Sequence, residues 1–156
     1  MKPAVIVHTA AQPSHDRAAA IPFDDFDTNA VGTLNVIRSM QRYGVRRLVV
    51  LSASGTQPGR DPNLPWVFER VLKPVLLGPA YDDLRRMETS VRQSELDWTI
   101  VRAANGLTDG PARGVFHAEP GYSLPGGRKI ARADVAAFML DELERRDNIA
   151  HALAIG

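Results

Sequence analysis

Short apolar runs alternate along this chain with longer amphipathic stripes. Ala4–Thr9 (AVIVHT), Arg47–Leu51 (RLVVL) and Leu96–Arg102 (LDWTIVR) are compact and rich in β-branched residues. Such runs predict strands buried on both faces of a parallel sheet. From Asp24 or Asp25 the period lengthens. Phe26, Ala30, Leu34, Ile37 and Met40 recur every three or four residues, which is one face of a helix stopped at Tyr43-Gly44. Asn29 and Asn35 are poor helix formers within it and call for a solvated face or a specific role. A second stripe, Leu84, Met87, Glu88 and Val91, predicts a helix over Tyr81–Ser94. A third, Val135, Phe138, Met139 and Leu143, predicts a helix capped by Asp134 and running to about Arg146. His151–Ile155 suits a last short strand.

The remaining stretches punctuate this series. Gln12–Phe23 holds Pro13 and Pro22 and reads as a loop with a short helical patch at Ala18–Ala20. The polar stretch 56–65 carries Pro58, Pro62 and Pro65 and reads as a surface loop. Trp66–Leu72 suits a short helix, broken by Pro74 and closed by Gly78-Pro79. Ala103–Gly114 reads as a loop, and Gly121–Ala131 as a small hairpin or two short extended pieces. Strand, helix, strand, helix, strand, helix, strand is the order of right-handed βαβ crossovers. The fold class is therefore α/β, a mainly parallel sheet with flanking helices, in one domain over residues 1–156.

Composition narrows the functions without choosing one. With 156 residues, 44% hydrophobic and 24% charged, the chain is of ordinary globular make-up and large enough for a real core. A net charge of +1 gives no reason to expect nucleic acid or an anionic membrane as partner. No cysteine is present, which rules out disulfides, thiolate metal sites and cysteine nucleophiles. His8, His15, His117 and His151 show no ligand spacing, so no metal is expected. The first residues lack a signal-peptide pattern, and a cytoplasmic location is the expectation.

Ligands of open α/β sheets gather beyond the carboxyl ends of the strands. Ser52-Ala-Ser-Gly55 follows the central apolar run and places small hydroxyl residues there, although serine and glycine also serve simply as turn formers. A hydrolase nucleophile elbow, G-x-S-x-G, does not fit, because Leu51 or Ser52 occupies the place of the first glycine.

Asn29-Ala-Val-Gly-Thr-Leu-Asn-Val-Ile37 and Gly44–Gly55 resemble the short-chain dehydrogenase/reductase superfamily. Glu88–Arg102 and Ile130–Ala136 are similar to its atypical and extended branches, which include NmrA-like, epimerase-like and flavin/biliverdin-reductase-like proteins. The likeness implies a Rossmann-like fold, an NAD or NADP cofactor, and hydride transfer to a small carbonyl or quinone-like substrate. It also implies an absence. Family members carry the pyrophosphate on a strand, GxxGxxG-type loop and helix, and no glycines of this chain stand in that context. The chain resembles the family's C-terminal half, starting near its fourth strand.

The resemblance implies roles for particular residues. Ser54 matches the serine that hydrogen-bonds a reacting carbonyl or the nicotinamide region, with Ser52 expected inside the strand end. Tyr81-Asp-Asp-Leu-Arg85 stands where family enzymes place Tyr-x-x-x-Lys. An arginine there could stabilise a phenolate but not relay a proton, and Tyr81 is equally readable as a helix-start residue. Thr9, Ala10 and Ala11, with His8, would wall the ribose and nicotinamide. Asn29 matches the family's helix asparagine or is simply solvated. Arg102, Ala103 and Asn105 stand at the family's Arg-Pro-x-x, here without its proline. Arg132 and Asp134 match its signature, and a helix cap with its ion pair accounts for them equally.

Three readings stay open. One is an NAD(P)-binding oxidoreductase-like protein acting on a small molecule. The second is a non-catalytic assembly or regulatory module, a homo-oligomer paired through the exposed edge of the first strand. The third is the C-terminal piece of a longer reductase or epimerase. The substrate and the choice between NAD and NADP are not legible.

Overall fold

The computed structural model describes residues 5–9, 30–72, 78–104, 106–114, 116–126 and 129–156. Four parallel strands, β1 (Val5–His8), β2 (Arg47–Ala53), β3 (Asp97–Ala103) and β7 (His151–Ile155), form the sheet. β5 (Ala118–Pro120) closes one side antiparallel to β7, giving the order β1-β2-β3-β7-β5. Two helices, α1 (Gly32–Tyr43) and α2 (Gly78–Gln93), cover one face, and α3 (Arg132–Glu144) covers the other.

Side-chain alternation along the strands explains the two layers. Leu48 and Val50 of β2 with Trp98 and Ile100 of β3 meet Ile37, Met40, Met87 and Val91 of α1 and α2. Val49, Val101 and Leu153 meet Val135, Phe138 and Met139 of α3. Each such aliphatic side chain taken from water contributes about 1.5–3 kcal/mol. The faces were legible, because every one of these helical residues belongs to a stripe read from the sequence. Gly44 ends α1 in the left-handed conformation (φ 63°), its N–H bonded to the Gln41 and Met40 carbonyls.

Four expectations change. The Ala103–Gly114 segment is not all loop: β4 (Gly106–Thr108) pairs in parallel with β6 (Lys129–Ala131) in a separate two-stranded sheet. Within Gly121–Ala131, expected as a hairpin or two short extended pieces, the described residues hold one strand, β6, whose partner β4 lies outside that stretch. Asp134 does not cap α3; Ala131 occupies that position, and the Asp134 carboxylate instead accepts the Arg113 and Gly114 N–H groups at 2.7 and 2.9 Å. Arg132 pairs with Asp109 on the surface. Gly78-Pro79 opens α2 instead of closing a helix, and a proline is tolerated in a first turn because its missing N–H has no intrahelical partner to lose. Trp66–Leu72 is helical with π geometry over Phe68–Leu72. The expectations for Gln12–Phe23, Phe26 and Pro74 fall outside the described residues.

At the amino ends of the strands a buried arginine, Arg47, reaches toward α3. Its Nη1 donates to the Asp97 carbonyl and to Thr99 Oγ1, each at 2.9 Å, and its Nη2 to the Glu142 carbonyl. The Glu142 carboxylate stands 3.9 Å from Nη2 and takes a 2.8 Å bond from Asn148 Nδ2. Arg47 Nε and Glu142 Oε2 are buried without a hydrogen-bond partner.

Candidate active site at the carboxyl ends of the strands

β2 leaves the sheet through Ser52, Ala53 and Ser54, and Gly55 turns the chain at φ +88°, a conformation that favours glycine. A Cβ on Gly55 would come within 3.1 Å of Leu64 Cδ1 and 3.3 Å of Tyr81 Cε1. The turn is thus packed closely against Leu64 of the following loop and Tyr81 of α2.

Beneath it lies Glu88 of α2, 1% exposed. Ser52 Oγ and Thr56 Oγ1 each lie 2.7 Å from Glu88 Oε1, and Arg102 Nε lies 3.0 Å from the same oxygen. Oε2 receives Arg102 Nη2 at 2.7 Å and pairs with Arg92 Nη2 at 2.9 Å. Five donors therefore surround a carboxylate with about four lone-pair sites. The Thr56 hydroxyl also reaches the Ala53 carbonyl at 2.9 Å, so its one proton is shared between two acceptors. Arg102 Nη1 continues the network to the Gly121 carbonyl at 3.1 Å. Burial alone would push the Glu88 carboxyl up; the Arg102 hydrogen bond and charge, with the Thr56 and Ser52 hydroxyls, outweigh it and hold the group below the usual carboxylate value.

Tyr81 of α2 is buried, and its hydroxyl donates to the Ser54 carbonyl at 3.0 Å. Burial pushes its phenol up to about 12, against a smaller opposite pull from the Arg85 charge. Arg85 Nε donates to the Thr56 carbonyl at 3.1 Å, and its Nη1 pairs with Asp82 at 2.7 Å. Ser54 is buried, with its N–H bonded to the Ala103 carbonyl at 2.9 Å, and its hydroxyl takes no part in the Glu88 network. Beyond the turn, the buried Asp61 carboxylate accepts Gln57 Nε2 and the N–H groups of Asn63 and Ser123, the latter two at 2.9 Å. One acid thereby joins the loop after β2 to the loop after β5.

The structure brings together Ser52, Ser54, Tyr81, Arg85, Arg102 and Ala103. Thr9 follows β1, exposed, with the preceding His8 hydrogen-bonded to Thr33 Oγ1 at 2.8 Å. Burial lowers the His8 pKa. Ala10, Ala11, Asn29 and Asn105 lie outside the described residues. Sequence reasoning passed over Glu88 as part of a helical stripe, Thr56 and Asp61 as loop, and Ser123 as part of a hairpin or extended piece. The one available signal was an acid within an otherwise apolar face.

A family model for NAD(P)H-binding proteins matches residues 1–146. The chain belongs to this NAD(P)H-binding family. A solved Bacillus halodurans protein, assigned provisionally as an NAD-dependent epimerase/dehydratase, superposes with a TM-score of 0.74 at 21% identity, over 97% of this chain and 63% of its own. A Veillonella parvula short-chain dehydrogenase/reductase solved in complex with NADP gives a TM-score of 0.68 at 19% identity, over 82% of this chain and 58% of its own. UDP-glucose 4-epimerase of Mycolicibacterium smegmatis is 39% identical over 64 residues, which is 41% of this chain and 20% of that enzyme. The chain thus spans less than two thirds of these proteins, and it shares the Rossmann-like fold of the two solved structures.

At the strand ends Thr9 is exposed, Ala103 is small and buried, and the Ser54 hydroxyl is outside the ion network. Among the described residues no glycine-rich turn links a strand directly to a helix, the feature that holds a pyrophosphate.

Proposed function

We propose that this chain forms the nicotinamide- and substrate-facing part of an NAD(P)-dependent oxidoreductase or epimerase-like site. Ser54 hydrogen-bonds the reacting carbonyl or the nicotinamide, and Thr9 and Ala103 form the walls. One observation carries this reading. Of three hydroxyls on one short turn, Ser52 and Thr56 are committed to Glu88, whereas Ser54 lies between them outside that network. When bound, the nicotinamide supplies or accepts a hydride. The chain's part is to orient the acceptor and, through the Ser54 hydroxyl, to stabilise negative charge on its oxygen. A small carbonyl or quinone-like compound is the substrate class. Ala10, Ala11, Asn29 and Asn105 complete the proposed cofactor surface by resemblance.

The test is titration of the purified chain with NADPH and then NADH, following energy transfer from tryptophan to the reduced nicotinamide. Saturable binding at micromolar concentration, weakened in Ser54→Ala, is the expected result. A folded chain that binds neither nucleotide would overturn the proposal.

A second reading rests on β1. Among the described residues it is hydrogen-bonded only to β2, with Val7 exposed, and an apolar edge of this kind invites pairing. Here the chain is an assembly module whose β1 edge meets a second copy. A monomer by light scattering would contradict it.

A further inference from the structure

Tyr81, Arg85 and Glu88 are spaced four and three residues apart, and on a helix this puts them in one line along the same side. All three meet the same five-residue turn. Glu88 holds the Ser52 and Thr56 hydroxyls, Tyr81 the Ser54 carbonyl, and Arg85 the Thr56 carbonyl. From the opposite side, the Ala103 carbonyl of β3 holds the Ser54 N–H. Both backbone polar groups of Ser54 are thereby fixed, one by the sheet and one by α2. Rotation about χ1 is the principal freedom left to that residue.

We infer that Tyr81, Arg85 and Glu88 are positioning residues, a three-point grip by α2 that sets the 52–56 turn and with it the direction of the Ser54 hydroxyl. This rests on the reading of Ser54 given above. Tyr81 acts as a donor to the backbone, not as a proton relay. Its proton is engaged by the Ser54 carbonyl, and a phenolate at that place would face the carbonyl oxygen 3.0 Å away with nothing to donate. Arg85 divides its donors between Thr56 and Asp82. The raised phenol pKa agrees with this role.

The experiment combines amide hydrogen exchange with nucleotide binding on the full chain, using Tyr81→Phe, Glu88→Gln and Ser54→Ala. Loss of one grip should speed exchange of the 54–57 amides by about tenfold, while β3 and α3 change little. In the NADPH titration Glu88→Gln and Ser54→Ala should each weaken binding, and the double variant should be no weaker than the worse single one, because one acts through the other. Unchanged exchange at 54–57, or acceleration spread evenly over the domain, would overturn the grip. So would additive losses in binding. A wild-type chain that fails to bind NADPH removes the proposed function but leaves exchange to decide the grip. Should Glu88→Gln not fold, Thr56→Val takes its place beside Tyr81→Phe.

Discussion

Two buried arginine–glutamate pairs sit at opposite ends of the sheet and on opposite faces, and they are built differently. At the carboxyl ends Glu88 meets Arg102 through two bonds of 3.0 and 2.7 Å, with two hydroxyls and Arg92 as further donors. At the amino ends the Arg47 and Glu142 charges stand 3.9 Å apart, and each side chain keeps a buried polar atom without a hydrogen bond. Desolvating two ions is offset only when geometry and further hydrogen bonds are good. The first pair meets that condition and the second does not. The first also holds the turn bearing Ser54, while the second ties the start of β2 to the end of α3. Positional accuracy is concentrated at the end of the sheet where ligands of this fold class bind.

The comparison is most sharply tested by cutting one partner from each pair. Arg102→Ala leaves Glu88 buried with only the half-exposed Arg92 as counter-ion, and should cost about 3–5 kcal/mol in denaturant unfolding. Arg47→Met should cost less, about 1–3 kcal/mol, because Glu142 retains Asn148 and its charge is already poorly matched. Equal losses would erase the distinction. Replacing both partners separates the ends further. Arg47→Met with Glu142→Leu should be neutral or stabilising, by up to about 4 kcal/mol. Glu88→Leu with Arg102→Met should destabilise, since it strands the Ser52 hydroxyl and leaves Thr56 only the Ala53 carbonyl. Gly55→Ala, strained at φ +88° and pressed against Leu64 and Tyr81, should cost about 1–3 kcal/mol, seen as a lowered thermal midpoint.

Acid titration gives the smallest effects. Glu88 has a folded pKa below its ordinary value, so its contribution is complete above the usual carboxylate range and is lost as pH falls through the lowered value. His8, lowered by burial, likewise contributes fully above the ordinary histidine value and loses that contribution at lower pH. Two separate steps are expected in stability against pH, one beginning below about pH 6.5 and one in the acid range. His8→Gln should remove the first, and Glu88→Gln the second. A single step unaffected by either variant would contradict both assignments.

Most of the framework was legible because buried parallel strands and amphipathic helices announce themselves in hydrophobic period. β2, β3 and β7 and the inner faces of α1, α2 and α3 follow directly from that pattern. The β4–β6 pair was not legible, since three-residue strands carry no period and their partners lie more than twenty positions apart. The site divides in the same way. Ser54 was found through likeness of sequence, whereas Glu88 belongs to contacts with Ser52 and Thr56 over 36 and 32 residues that no local spacing encodes. Glu142 illustrates the same difficulty. It falls in step with Val135, Phe138 and Met139, and only an acid at a core-facing position hinted that an arginine would be waiting.

The line from Tyr81 to Glu88 also makes α2 a ruler. Seven residues of helix advance about 10.5 Å and complete nearly two turns. Adding or deleting one residue between them would swing one end about 100° away from the other. The turn that follows β2 could then be held at one end but not at both. Chain length is therefore fixed along this part of α2, while the exposed 58–60 stretch of the neighbouring loop can be lengthened without touching either hold. For anyone recombining this chain with its longer relatives, crossover points belong in that loop and not in the helix.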